Sequence, residues 1–96
     1  MGSKKRAVVV LSTPHYIFFG WTADSFIEPV IHLERARNCA YYTPSTKGIG
    51  GLAASGPDAL CRIGPEIPLV ALHGVTCVLL ATDKAVKAWE TAQWKV

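Results

Sequence analysis

The sequence contains few of the residues from which metal and redox sites are built. It has three cysteines, Cys39, Cys61 and Cys77, an odd number with no CxxC spacing. This pattern argues against a cysteine zinc site and against a disulfide framework. Because each cysteine lies among apolar neighbours, we predict three buried, reduced thiols.

Catalytic motifs are lacking as well. The three histidines have no HxH or HExxH spacing, no serine lies in a GxSxG elbow, and no GxxxxGK[ST] phosphate loop occurs. The seven acidic residues do not cluster along the chain. We therefore predict that the protein is not an enzyme, has no catalytic or metal-binding residues and uses no cofactor.

Long apolar runs and dense positive charge are also missing. The longest apolar runs, residues 7–11 and 77–81, are far shorter than the roughly 20 residues of a membrane-spanning helix, and the first is too short for a signal peptide. Net charge is +3, and most lysines and arginines are dispersed. We expect no membrane contact, no nucleic-acid partner and a cytoplasmic protein.

The sequence does contain an unusually large share of apolar residues for its size. Half of the 96 residues are hydrophobic. A chain of this length forms one domain, residues 1–96, in which we expect residues 1–5 to be a flexible basic tail. Because monomers expose only limited contiguous apolar area, we predict that the chain associates with itself.

The order of strand and turn signals predicts an α+β fold. Strands are predicted at residues 6–11, 15–21, 26–33, 35–42, 59–63, 67–72 and 74–81, the last as the central strand. Pro29 places the third strand at an edge or makes it start later. A short helix at about 49–55 ends at Gly56-Pro57, and an amphipathic C-terminal helix covers about 82–95. The fold is thus a small, mostly antiparallel β-sheet domain with two helices.

The candidate binding site is the glycine-rich segment at residues 41–51. Residues 48–53 fit the GxGxxA dinucleotide pattern, but the strands around them are predicted to form hairpins rather than a parallel βαβ unit. Hydroxyls, a lysine and glycine amides there can still form a small anion nest beside two tyrosines. The predicted site residues are Arg35, Arg37, Tyr41, Tyr42, Thr43, Ser45, Thr46, Lys47, Gly48, Gly50 and Gly51. The alternative is a structural corner, in which small residues let a helix lie close to the sheet.

Tryptophan and tyrosine side chains are candidates for a protein interface, where they are common binding anchors. Trp89 falls on the apolar stripe of the C-terminal helix and is predicted to lie in the core. Trp94 falls off that stripe, so core and interface roles both stay open. Trp21 is a further candidate anchor.

Three stretches suggest a family. They are RAVVVLSTPHYIFFGW at 6–21, VIHLERARNCAYYTPSTKGIGGLAASGP at 30–57 and EIPLVALHGVTCVLLATDKAVKAW at 66–89. In these stretches the chain resembles small uncharacterised proteins of tailed bacteriophages and prophages, which form a domain of unknown function. The resemblance implies a phage setting and no mechanism.

Two functions from different classes fit this reading. The first is a homo-oligomeric accessory protein of the host cytoplasm, which acts in host interaction or counter-defence by binding a host or phage protein or a small anionic, nucleotide-like ligand. The second is a virion component that decorates the capsid. Lys47→Ala or Gly50→Val would separate a binding role of residues 41–51 from a structural one.

Overall fold

The computed structural model describes residues 5–12, 16–24, 30–41, 48–58 and 61–92. These residues form β1 (Arg6–Ser12), β2 (Tyr16–Thr22), β3 (Val30–Tyr41), α1 (Gly48–Ala54), β4 (Arg62–Ile63), β5 (Ile67–His73), β6 (Val75–Leu80) and α2 (Asp83–Thr91). All the strand pairs are antiparallel, which confirms the predicted α+β class. Apart from Lys5, the expected basic tail lies outside the described residues.

The sheet curls round on itself. Its strand order is β4-β3-β2-β1-β6, and β5 also pairs with β3. Only Gly74, with a φ of 65°, separates β5 from β6. β5 nevertheless pairs with β3 and β6 pairs with β1, the two outer strands of the β3-β2-β1 group. Residues 67–80 therefore bridge both ends of the sheet, as in a small barrel. Because β6 ends the strand order, the prediction of a central strand at 74–81 is wrong.

One long strand, β3, replaces two predicted strands. It begins at Val30, directly after Pro29, so the alternative of a strand that starts after the proline is correct. β3 does not lie at an edge, because it pairs with β2 on one side and with β4 and β5 on the other. The predicted break near Arg35 is a bulge within the strand, described below.

Two apolar clusters lie on opposite faces of β1. Val8 and Val10 point into an inner cluster enclosed by the curled sheet, whereas Ala7 and Val9 point into an outer cluster between the sheet and the helices. Since β1 is covered on both faces, its sequence is a continuous apolar run rather than an alternating one. β1 is thus an antiparallel strand whose apolar run reflects the burial of both its faces.

Helix α2 is capped as the sequence predicts but ends early. The hydroxyl of Thr82 accepts a hydrogen bond from the amide of Ala85 at 3.1 Å, which satisfies one of the free amides of the first turn. The helix ends at Thr91, because Ala92 has an extended backbone with ψ of 132°. The predicted end at about residue 95 is therefore wrong.

Trp89 anchors α2 in the outer cluster. Its ring stacks on Phe19 with 5.3 Å between ring centroids, and its indole Nε1 donates to the carbonyl of Leu52 in α1 at 3.0 Å. The prediction of a core role for Trp89 is confirmed. Trp94 lies outside the described residues.

None of the three cysteines forms a disulfide. Cys39 and Cys61 are buried, as predicted, but Cys77 is only half-buried. The burial prediction is wrong for Cys77 because β6, which carries it, ends the strand order and is covered less completely than β1.

Candidate functional site

A β-bulge puts Arg35 in an unusual backbone conformation. Phe19 faces Arg37 and Trp21 faces Glu34, so β3 has one residue more than β2 between these pairs. Within the bulge, Arg35 has a φ of 50°, in the left-handed region that non-glycine residues seldom adopt. Arg35 is also the only non-glycine residue with a positive φ in the described part of the chain.

Gly20 allows the two strands to approach closely at this bulge. A Cβ at Gly20 would lie 2.8 Å from the Cβ of Leu33 and 3.3 Å from the carbonyl oxygen of Glu34. Real Cβ atoms do not approach other carbons so closely, so a larger residue would push β2 and β3 apart. A glycine on β2 thus lies against the residues of β3 that directly precede Arg35.

The side chain of Arg35 joins a small cluster with Trp21 and Glu90. Its guanidinium carbon lies 4.8 Å from the centroid of the Trp21 ring, within range of a cation–π interaction. The carboxylate of Glu90, on α2, accepts a hydrogen bond from Trp21 Nε1 at 3.2 Å and lies 3.9 Å from Arg35 Nη1. The side chains of Arg35 and Glu90 are 56% and 39% exposed, so the cluster is accessible from solvent.

The strand register extends this cluster across the sheet. Trp21 faces Glu34 and Glu34 faces Leu69, and directly opposed residues of antiparallel strands share a face. Lys5 forms an ion pair with Glu34 at 2.6 Å, and Leu69 is 60% exposed. We call this region the Trp21 surface; it consists of Lys5, Trp21, Glu34, Arg35, Leu69 and Glu90.

A carboxylate beside β3 is tied to the strand. The backbone amide of His32 donates to Asp24 Oδ2 at 2.8 Å, and the ring Nδ1 of His32 lies 2.9 Å from the same oxygen. The backbone hydrogen bond, followed by the ring contact, lowers the pKa of Asp24 below its usual value. Asp24 therefore stays ionised and fixes the start of β3.

Arg37, a predicted site residue, lies in the interior. It is 6% exposed, and its guanidinium donates to the carbonyls of Gly64, Trp89 and Ala92 at 2.9, 2.8 and 2.5 Å. The last carbonyls of a helix have no partner within it, and a cation there also complements the helix dipole. Arg37 thus closes the end of α2, and these contacts leave it little access to a ligand.

Only part of the predicted segment 41–51 can be described. Tyr42, Thr43, Ser45, Thr46 and Lys47 lie outside the described residues, and the backbone of Tyr41 pairs with Arg62 of β4. Gly48, with a φ of 74°, is the first residue of α1. A Cβ at Gly48 or Gly50 would meet no atom within 4 Å. Packing against the sheet therefore does not require glycine at either position.

The close approach expected of a structural corner lies instead at the end of α1. Gly56 has a φ of 81°, and a Cβ there would lie 2.5 Å from the Cβ of Ala88 in α2. Its amide donates to the carbonyl of Leu52 at 3.1 Å, and the amide of Ser55 donates to that of Gly51 at 2.8 Å. The predicted glycine stop of the short helix is confirmed.

Two described residues of the predicted site, Arg35 and Tyr41, lie far apart along β3. Arg35 and Tyr41 are six residues apart on the same strand, a separation of about 20 Å at the usual rise per residue. The structure instead places Arg35 beside Trp21 and Glu90, and Glu34 joins Lys5 and Leu69 to the same surface; the sequence does not mark these residues as a group. Trp21 alone among these neighbours has a signal in the sequence, because tryptophan is a common binding anchor.

Two further findings concern other functions. Within the described ranges, no group of three or more His, Cys, Asp and Glu side chains is arranged to hold a metal ion. Neither described helix combines the length and the hydropathy that a membrane span requires.

Comparison with known proteins places the chain in a family. Neither the curated proteins nor the solved structures contain a match to it. The family model described as "Domain of unknown function (DUF6948)" matches residues 5–89, and the chain therefore belongs to this family.

Proposed function

We propose that this chain is a non-enzymatic binding module that recognises a protein partner through the Trp21 surface. The conformation of Arg35 is the main support. A left-handed backbone costs a non-glycine residue roughly 1–2 kcal/mol. Even so, an arginine occupies the position, and its side chain is more than half exposed. Strained residues of this kind cluster at functional sites, where the side chain outweighs the cost.

The composition of the Trp21 surface supports a protein partner. Trp and Arg are the residue types most enriched among binding hot spots, and here they are in contact. Charges of both signs lie around them, on Lys5, Glu34 and Glu90, and Leu69 adds exposed apolar area. An aromatic and apolar centre with a polar rim is the usual anatomy of a protein interface.

A small anionic ligand, the other class that the sequence suggests, has less support. The backbones of Arg35 and Tyr41 are about 20 Å apart along β3, so a small ligand bound beside one does not lie beside the other. Glu90 also lies beside Arg35, which lowers the positive potential available to an anion. A protein partner, which covers roughly 800 Å² of each surface, can contact residues that far apart.

The setting that we propose is a phage or prophage accessory protein that associates with itself and acts in the host cytoplasm, in host interaction or counter-defence. This part rests on the resemblance of the three sequence stretches to phage proteins. A virion component would instead be present at fixed stoichiometry in purified particles. Mass spectrometry of virions separates the two settings.

Site-specific photo-cross-linking in bacterial cells tests the binding surface. We would place p-benzoylphenylalanine at Leu69, on the Trp21 surface, and as a control at Lys87, on the exposed side of α2. We expect a discrete protein adduct from position 69 that is absent from position 87. Adding Arg35→Gly to the position-69 chain should weaken the adduct without changing the circular dichroism of the purified protein. Identical adducts from both positions, or no adduct from position 69, would rule out this surface.

A further inference from the structure

Strand β6 is apolar, yet none of its residues is fully buried. Leu80 is 55% exposed, Thr76 is exposed, and the other four residues are half-buried. The neighbouring β1, of similar composition, has five buried residues. The difference arises because β6 pairs with β1 on one side only; within the described ranges, no strand pairs with its other edge.

The sequence of β6 lacks the residues that usually prevent strand pairing between molecules. Edge strands are commonly protected by proline, by charged side chains or by a covering segment. β5, which also pairs on one side only among the described strands, contains Pro68. β6 has neither proline nor charge, and residues 67–80 contain no Asp, Glu, Lys or Arg.

We propose that the edge of β6 that faces away from β1 pairs with β6 of a second copy of this chain, antiparallel and about a twofold axis. The inference deepens the self-association that forms part of the proposed function, and it is independent of the Trp21 surface. An antiparallel strand pair about a twofold axis is self-complementary, because each strand offers the other the same row of amides and carbonyls.

The charge distribution favours a second copy as the occupant. The chain has a net charge of +3, and a net charge of one sign opposes the approach of two identical molecules. Two β6 strands bring no like charges together, because neither carries any. The pairing would also cover part of the exposed Leu80 side chain, whose burial is favourable.

Ladder geometry limits where the axis can lie. Along a strand, every second residue directs its backbone amide and carbonyl toward the partner strand. Two residues that face each other in an antiparallel pair are of the same kind, so in a pair of identical strands their residue numbers differ by an even number. The twofold axis must then lie where a residue faces the same residue of the other copy. Near the centre of β6 this residue is Cys77 or Val78. In the first register the two Cys77 Cα atoms would be about 4.5–5.5 Å apart, and in the second about 7–8 Å.

Sedimentation equilibrium tests the proposal. We expect a dimer for the wild type and a dissociation constant raised about tenfold or more by Leu80→Lys, since a lysine within the strand pair loses hydration. The double variant Thr76→Lys/Leu80→Lys should be monomeric at the same concentration. Leu69→Lys, the same substitution at a similarly exposed position on β5, is the control and should leave the dimer unchanged. Circular dichroism checks that each variant is folded.

Cross-linking at Cys77 gives a second measurement. The other two cysteines are buried, so a short bis-maleimide should join two chains through Cys77 in either register. Cys77→Ser should abolish this product and leave sedimentation unchanged. A product confined to the dimer peak supports the pairing, whereas a dimer that never cross-links places the interface elsewhere.

The outcomes also separate this proposal from the proposed function. A wild type that stays monomeric, or a dimer that survives both lysine variants, overturns the β6 pairing. A dimer that Leu69→Lys breaks and Leu80→Lys does not would move the interface to β5 and also overturn it. None of these results changes the photo-cross-linking expected at Leu69, and loss of that adduct leaves the dimer measurement intact.

Discussion

Replacing Arg35 by alanine and by glycine separates backbone strain from side-chain contacts. Either variant loses the contacts with Trp21 and Glu90, which together contribute about 1 kcal/mol at such exposed positions. Alanine keeps the left-handed strain, whereas glycine relieves roughly 1–2 kcal/mol of it. The extra freedom of glycine in the unfolded chain offsets about 0.5–1 kcal/mol of this gain. We therefore expect Arg35→Ala to be destabilised by about 1 kcal/mol and Arg35→Gly to match the wild type within about 1 kcal/mol.

Urea denaturation followed by tryptophan fluorescence measures this difference, with equal m-values as the condition for comparison. In thermal denaturation, the Tm of the glycine variant should lie several degrees above that of the alanine variant, since about 1 kcal/mol corresponds to roughly 4–8 °C in a domain of this size. Arg62→Ala, at an exposed arginine of β4, is the matched control and should show a small change. If alanine were more stable than glycine by about 0.5–1 kcal/mol, which is the ordinary difference between the two residues in a strand, the strain would be absent. If both variants lost several kcal/mol, Arg35 would be a structural residue and the argument for function would fail.

Three further predictions concern the structure around this surface. Gly20→Ala should lower the free energy of unfolding, measured by urea denaturation, by about 1–3 kcal/mol, because the new Cβ would collide with β3. Gly50→Ala is the control: its Cβ meets open space, so the same free energy should change by less than about 1 kcal/mol. Arg37→Met should cost about 3 kcal/mol or more by the same assay, since three carbonyls lose a charged donor, and Arg37→Lys should not restore them. The pKa of Asp24 is lowered in the folded state, so its contribution to stability is present above about pH 4 and is lost as the pH falls through the folded pKa. Asp24→Asn should remove this part of the pH dependence of the free energy of unfolding. A pH profile identical to that of the wild type would contradict this role of Asp24.

The sequence predicts most of the elements but not the way the sheet closes. Hydrophobic period and turn residues locate β1, β2, β5 and both helices to within a few residues. The place of β6 in the strand order is not predictable from its composition, because a strand at the end of the order can be as apolar as a central one. Gly74 could have indicated the bend between β5 and β6, since a glycine between two strand runs allows a positive φ.

The candidate site was less predictable for a physical reason. An anion nest is a local feature that the sequence displays, whereas the Trp21 surface joins residues of β2, β3, β5 and α2 through the strand register. That register depends on the bulge at Arg35, where an arginine adopts a conformation that its residue type disfavours. A residue that contradicts its own local preference leaves no local signal, and Gly20 on the facing strand is the nearest indication of it.

The two proposed surfaces predict bivalent binding. Edge pairing extends a sheet in its own plane, so a dimer through β6 leaves the outer faces of β2 and β3 uncovered and presents two Trp21 surfaces. The partner is first identified by photo-cross-linking at position 69 and is then coated densely on a sensor. The dimeric wild type can bind two partner molecules at once, so it should dissociate about 10²–10⁴-fold more slowly than Leu80→Lys. With the partner free in solution, the two proteins should bind with equal affinity per chain, because the variant leaves the Trp21 surface intact. An equal loss in both formats would mean that the dimer itself forms the binding surface. No loss in either would mean that the two surfaces cannot engage partners together.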